Sequence, residues 1–197
     1  MQVTKPKKGY KLAKWYFGKH LEIPEEWEEK KLEEVIDVFG TGDWGNDDEK
    51  VIPDGLTRVK VIRNTEFKNW QNEFGKTGIV STDEKLLQNQ RVGNIFPTDN
   101  RMLDKKFLFF ILISDYIQNQ IWSFVSSSAQ PNIGKSELDK IVFFKPQNIS
   151  EQKQIASILS NVDTQIQKEK LHKSNLERLK KGLMQKLLTG QIRVKVR

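Results

Sequence analysis

The last quarter of the chain carries apolar residues at the spacing of one helix face. No Pro or Gly occurs between residues 151 and 181, and the apolar residues follow each other in a heptad-like pattern. The pattern weakens at 167–175, where Leu171 is the single apolar residue. It predicts one helix over 151–188, with Ser150 as its N-terminal cap. The apolar stripe consists of Ile155, Leu159, Val162, Ile166, Leu176, Leu179, Leu183 and Leu187.

The length of this helix indicates that its stripe needs a covering partner. Residues 151–188 extend about 57 Å at 1.5 Å per residue, which exceeds the width of a domain of this size. Gly190 favours a stop after Leu188, because Gly readily adopts the left-handed conformation that closes a helix. We expect the helix to project. Its stripe could pack on its own domain or pair with another helix, and we favour pairing.

The middle of the chain mixes strand and helix patterns. Helical spacing predicts helices at 32–39 and 104–125, the second of them buried. A new unit opens at Ile23-Pro24-Glu25-Glu26-Trp27, in which Trp27 is a candidate core anchor. Together these patterns predict a mixed α+β fold. Strands are predicted at 57–63, 78–80, 91–96 and 140–146, the last ending at Pro146.

Charge divides the chain into segments of opposite sign. Residues 1–20 contain six lysines and no acidic residue, whereas residues 21–49 contain twelve acidic residues and two lysines. The net charge of +7 is compatible with a nucleic-acid partner, but the acidic segment points away from phosphate. The predicted organisation is a basic lead-in at 1–21, a globular domain at 22–148, a long helix at 149–190 and a basic tail at 191–197.

Composition excludes several classes of protein. No apolar run approaches the length of a membrane span, and the N-terminus lacks the apolar centre of a signal peptide. The absence of cysteine excludes disulfides and thiolate metal sites, and it suits a cytoplasmic location. The only histidines are His20 and His172, so one chain cannot build a His-rich zinc site.

Two short patterns match chemical motifs loosely. Gly40-Thr41-Gly42-Asp43-Trp44-Gly45 fits the G-x-G-x-x-G dinucleotide pattern, but acidic residues and Pro53 follow it, which favours a loop. Asp54 with Asp83-Glu84-Lys85 fits the carboxylate–lysine pattern of magnesium nucleases, although two ordinary turns explain it as well. No P-loop or serine–histidine signature occurs. We therefore predict no active site.

The C-terminal third resembles the specificity subunits of type I restriction–modification systems. The matching residues are Pro146, Glu151-Gln152, Ile155, Asp163, Ile166, Leu176, Lys180, Leu183, Leu187-Leu188-Thr189-Gly190 and Ile192-Arg193-Val194. The stretch 23–27 is similar to the opening of the family's target-recognition domain, and 129–133 is similar to the stretch before its last strand. This chain has serines at 126–128 where the family often carries a glycine. The resemblance covers nearly the whole chain.

This resemblance implies a non-catalytic reader of double-stranded DNA. Such subunits usually contain two recognition domains and two long antiparallel helices, which dock methyltransferase (modification) subunits, and restriction motor-nuclease subunits join that core. One domain and one helix imply a half-length form, which reads half of a bipartite site and pairs with a second copy as an antiparallel coiled coil. The chain itself is expected to hold no cofactor or metal. The partner subunits would use S-adenosylmethionine, ATP and magnesium.

Candidate DNA contacts are the polar and basic residues of the predicted domain. Base edges in the major groove would specify sequence, and phosphate contacts would set the register. No family motif fixes these residues, and Arg58 and Lys60 also fit the solvated face of a strand. The candidates are Arg58, Lys60, Arg63, Asn64, Lys68, Lys76, Arg91, Gln130 and Asn132.

Two other functions stay open from the sequence. The chain could be an assembly or inhibitory protein that pairs with a full-length specificity subunit without reading DNA. It could also be a magnesium-dependent nuclease, which only Asp54 and the 83–85 stretch support.

Overall fold

A computed structural model describes residues 6–14, 20–39, 60–62, 77–79, 86–88, 94–124 and 134–195. The chain divides into two compact units, Met1–Gln154 and Ile155–Arg197, here called the first and second units. The described strands are β1 (Tyr10–Lys14), β2 (His20–Pro24), β3 (Trp27–Lys31), β4 (Ile36–Phe39), β5 (Lys60–Ile62), β6 (Leu86–Gln88), β7 (Asn94–Pro97) and β8 (Val142–Pro146). The helices are α1 (Lys105–Ile113), α2 (Asp115–Phe124), α3 (Lys135–Leu138) and α4 (Ile149–Leu188).

The described strands of the first unit pair two by two. β1 pairs with β2, β3 with β8 and β4 with β7, all antiparallel, whereas β5 and β6 are parallel. The β3–β8 pair joins an early strand to the strand that precedes α4, with Trp27 opposite Pro146 and Lys31 opposite Val142. β3 is mostly charged, whereas Phe143 and its neighbours in β8 are buried.

The core of the first unit lies around β8 and the two helices α1 and α2. Gln120 of α2 bonds β8 as a neighbouring strand would: its Nε2 donates to the Val142 carbonyl at 2.8 Å, and its Oε1 accepts from the Val142 amide at 3.0 Å. The ring of Tyr116 stacks on Phe144 with centroids 6.0 Å apart. Burial raises the pKa of Tyr116 to about 12. Buried apolar residues of the core include Leu32, Leu103, Phe107, Ile117, Ile141 and Phe143.

The structure confirms a mixed α+β fold with one long C-terminal helix. The strand predicted at 140–146 is β8, and it ends at Pro146 as expected. Within 57–63 the structure describes the strand β5, and within 91–96 it describes most of β7. Residues 77–79 form no strand, so the prediction at 78–80 is wrong for its described residues.

The helix predicted at 32–39 is wrong. A single 3-10 turn occupies Leu32–Glu34, and the chain then extends into β4, which pairs with β7. Leu32, Val35 and Ile36 are buried, so the apolar spacing reports burial correctly but not conformation. β-branched residues at 35, 36 and 38 favour extended backbone, and a strand partner supplies the hydrogen bonds.

The long helix predicted at 104–125 is two helices. α1 ends at Ile113 and α2 begins at Asp115, with Ser114 between them in extended backbone. The Ser114 hydroxyl donates to the Ile111 carbonyl at 2.6 Å and accepts from the Ile117 amide at 3.4 Å, which closes one helix and opens the next.

Candidate DNA-recognition and helix-pairing surfaces

The predicted DNA contacts fall almost entirely outside the described residues. Lys60 lies in β5, where it is the register partner of Leu86 in the parallel strand β6. The dinucleotide-like stretch 40–45, Asp54 and the stretch 83–85 lie outside the described ranges as well. The remaining candidates outside them are Arg58, Arg63, Asn64, Lys68, Lys76, Arg91, Gln130 and Asn132. All of these assignments stay predictions.

The described part of the chain has neither a cluster of metal-binding side chains nor a membrane-spanning helix. Within those ranges, no three His, Cys, Asp or Glu side chains form a group that could hold a metal ion. None of the helices described there has the apolar length that a bilayer crossing requires.

The N-terminus of α4 is capped by Asn148. Its Oδ1 accepts a hydrogen bond from the Ser150 amide at 2.9 Å, and its carbonyl accepts from the Glu151 amide at 3.1 Å. Ser150 is therefore inside the helix, and its prediction as the cap is wrong by two residues. Asn and Ser are about equally good at this position, so sequence alone did not separate them.

Gln152 bonds the first turn of α4 to two other segments of the first unit. Its side chain is fully buried. Its Nε2 donates to the carbonyls of Pro146 at 2.8 Å and Met102 at 3.1 Å, and its Oε1 accepts from the Asp104 amide at 3.0 Å. Asp104 in turn caps α1 by accepting from the amides of Lys106 and Phe107. One amide side chain thus links the end of β8, the start of α1 and the start of α4.

Lys145 and Trp27 add two polar links beside Gln152. The buried Nζ of Lys145 lies 2.6 Å from Oε1 of Glu28 and donates to the Met102 carbonyl at 3.2 Å. The Trp27 indole nitrogen donates to Oε1 of Glu151 at 3.0 Å. The residues Trp27, Glu28, Lys145, Glu151 and Gln152 are called the α4 anchor below.

Sequence reasoning missed most of the α4 anchor. Trp27 was expected in the core, and Glu151-Gln152 marked the family resemblance, but no contact was assigned to them. The usable signal was a pair of polar residues in the first helical turn directly after an apolar strand that ends at Pro146. A polar side chain in such a place must find hydrogen-bond partners, because burying it without them is costly.

The predicted apolar stripe is exposed along the second unit. Ile166 is 44% exposed and Leu176 is 51% exposed, and Ile155 at the start of the unit is half-buried. Leu159, Val162, Leu179, Leu183 and Leu187 are exposed as well. Around the last leucines the helix surface forms a shallow depression of about 330 Å³, lined mainly by apolar side chains. Scattered exposed apolar residues are common, but a row of them on one face of a helix is typical of an interaction surface.

The C-terminus of α4 matches its prediction. The helix ends at Leu188, and Gly190 adopts the left-handed conformation with φ of 74°. The Gly190 amide donates to the Leu187 carbonyl at 3.2 Å, and the Ile192 amide donates to the Lys186 carbonyl at 3.1 Å. These bonds satisfy helix-end carbonyls that would otherwise lack partners.

Comparison with protein families gives the class of the molecule. The profile of the type I restriction modification DNA specificity domain matches residues 24–178, which is most of the chain. The protein belongs to this family. The match extends from Pro24, the last residue of β2, through the α4 anchor and over the apolar stripe as far as Leu176.

Individual relatives are named specificity subunits of type I restriction enzymes. The chain is 30% identical over 206 residues to the type I restriction enzyme MjaVIII specificity subunit of Methanocaldococcus jannaschii, covering 88% of this chain and 48% of the relative. It is 24% identical to the putative MjaX specificity subunit of the same organism, covering 85% and 47%. The chain thus spans about half the length of these curated relatives.

A solved structure shares the fold. The type I restriction-modification system S subunit from M. genitalium matches with a TM-score of 0.57 at 18% sequence identity. The match covers 81% of this chain and 45% of that subunit.

Proposed function

We propose that the protein is a non-catalytic, sequence-specific DNA-binding specificity subunit that reads one half of a bipartite site. It pairs with a second copy through α4, and the homodimer docks methyltransferase and restriction subunits. The chain needs no cofactor for this role. S-adenosylmethionine, ATP and magnesium would be used by the partner subunits, in the cytoplasm.

The observation that carries the proposal is the exposed stripe on α4. Burying apolar side chains stabilises an association by roughly 25 cal/mol for each Å² removed from water. A second α4 offers the same stripe, and a two-fold axis lets one surface pair with itself. Antiparallel pairing sets the N-terminal ends of the two helices apart, and each helix follows its own recognition domain. The DNA target would then be two inverted half-sites with a fixed gap.

The family match supports this proposal. The relatives that the chain matches over about half of their length are named specificity subunits. Two copies of a unit with one recognition domain and one helix would supply two of each. The family resemblance implies that number for a full-length subunit.

The test is DNA selection with the purified full chain and a methyltransferase subunit of its system, together with sedimentation of the chain alone. We expect a dimer at micromolar concentration and selected sequences with two inverted halves at one gap. A chain that sediments as a monomer at high micromolar concentration would contradict homodimerisation. A dimer that selects no sequence would favour the assembly or inhibitory partner instead.

A further inference from the structure

We propose that the two α4 helices pair in one register, centred on Leu171, and that Glu169 of each copy pairs with Lys173 of the other. This inference rests on the proposed homodimer. It starts from the interruption of the apolar stripe at 167–175, which pairing of apolar residues alone does not explain.

Heptad positions place charged residues in line with the stripe. Extending the spacing of the apolar residues through the interruption gives two core positions in each heptad, conventionally called a and d. The d positions are Ile155, Val162, Glu169, Leu176 and Leu183. The a positions are Leu159, Ile166, Lys173, Lys180 and Leu187. Three charged side chains therefore occupy the seam itself.

The surface of α4 supports this placement. Glu169, Lys173, Leu176 and Lys180 line one shallow depression, so the charged residues share a face with the stripe. The Lys173 ammonium lies 3.9 Å from Oε1 of Glu177, and both side chains are mostly exposed. Such an exposed pair contributes little, so it would not hold Lys173 away from a closer carboxylate.

In an antiparallel pair of helices, the residues at heptad position a of one helix face the residues at heptad position d of the other. When the two-fold axis passes at the level of Leu171, a residue before Leu171 in one helix faces the residue that lies equally far after Leu171 in the other helix. Each contact occurs twice by symmetry. The facing pairs are Ile155–Leu187, Leu159–Leu183, Val162–Lys180, Ile166–Leu176 and Glu169–Lys173. Apolar residues meet apolar residues in three of these pairs, opposite charges meet in one, and the Lys180 stem can cover Val162 while its ammonium reaches water.

Registers shifted by one heptad pair fewer apolar residues with each other and leave Lys173 against an apolar side chain. A shift in one direction sets Glu169 against Ile166 and Lys173 against Val162, which brings both charges against apolar side chains. A shift in the other direction still sets Glu169 against Lys180, but it sets Lys173 against Leu176 and carries Leu159 to Gly190, beyond the end of the helix. Charged residues in a coiled-coil seam select one register at some cost in stability.

Charge reversal in the full chain tests the register. We expect Glu169→Lys and Lys173→Glu each to weaken homodimerisation ~10-fold or more, because like charges then face each other in two places. The double variant Glu169→Lys/Lys173→Glu should restore wild-type affinity. A mixture of the two single variants should form heterodimers in preference to either homodimer. The control is Arg178→Glu, which makes the same charge change as Lys173→Glu at a heptad position facing away from the seam.

The outcomes separate this register from the dimer on which it rests. If the wild-type chain sediments as a monomer, both the proposed dimer and the proposed register are contradicted. A stable dimer in which Lys173→Glu behaves like Arg178→Glu, and in which the mixed single variants show no preference for each other, overturns the register alone. Circular dichroism of each variant checks that α4 keeps its helix content.

Discussion

The indole nitrogen of Trp27 donates a 3.0 Å hydrogen bond to the carboxylate of Glu151, which connects β3 to the first turn of α4. A double-mutant cycle with Trp27→Phe and Glu151→Ala isolates this bond from the packing of the ring. We expect a coupling of about 1 kcal/mol in the free energy of unfolding, measured by urea denaturation. Strictly additive single changes would show that the bond contributes no net stability.

Gln152 makes three side-chain hydrogen bonds in the α4 anchor. Gln152→Leu keeps the volume but removes three hydrogen bonds and leaves the Asp104 amide and the Pro146 carbonyl without this partner. We expect the free energy of unfolding to fall by about 3 kcal/mol. The matched control is Gln154→Leu, at an exposed position of the same helix, with an expected change within about 0.5 kcal/mol. Equal effects of the two changes would contradict the role of Gln152.

Tyr116 should make the first unit sensitive to high pH. Burial raises the pKa of its phenol from 10.0 to about 12, so the folded state disfavours the phenolate. The stability from the neutral phenol is present below pH 10 and is lost as the pH rises towards 12. The urea midpoint of wild type should therefore fall relative to that of Tyr116→Phe across this window. Parallel curves for the two proteins would exclude the effect.

Aspartates in the apolar stripe should separate the two copies. Ile166→Asp with Leu176→Asp would bury carboxylates in the seam of the proposed dimer, which is strongly unfavourable. We expect a monomer with a folded first unit and no selection of a split DNA target. Leu171→Asp is the control, because Leu171 is exposed but lies outside the stripe. Retention of both dimerisation and target selection by the double variant would contradict pairing through this face.

DNA affinity should depend on the basic residues predicted from the sequence. Charge reversal at Arg63 or Lys68 should weaken binding, and the pattern of loss identifies the contact. A phosphate contact lowers affinity for all sequences and reduces the salt dependence, whereas a base contact relaxes one position of the target. Filter binding across a salt series with matched and unrelated DNA measures both. Unchanged affinity after both reversals would place the DNA on another surface.

The sequence predicted α4 well because a long helix depends on local signals. Its sequence contains no Pro or Gly from residue 151 to residue 181, and Gly190 marks its end. Residues 32–39 show the opposite case. Their apolar spacing fits a helix, but β4 forms because β7, which is distant in sequence, supplies its hydrogen bonds.

The α4 anchor depends on contacts that no local pattern contains. Lys145 directly follows the two phenylalanines of β8, and a lysine at the end of a strand is ordinarily solvated, yet this one is buried against Glu28. Gln152 stands among polar helix residues, and only the positions of Met102, Asp104 and Pro146 explain its burial. Apart from Pro146, these partners lie 48 and 50 residues before Gln152 in sequence, so only the fold brings them into contact with it.

In the proposed dimer, the interruption of the apolar stripe at 167–175 fixes the separation of the two recognition domains. Sliding one α4 along the other by a heptad changes the separation of the two recognition domains by about 10 Å. On duplex DNA, with about 3.4 Å for each base pair, that change corresponds to about three base pairs. Two charged residues that touch no base, Glu169 and Lys173, would thus decide how many unread base pairs separate the two halves of the target.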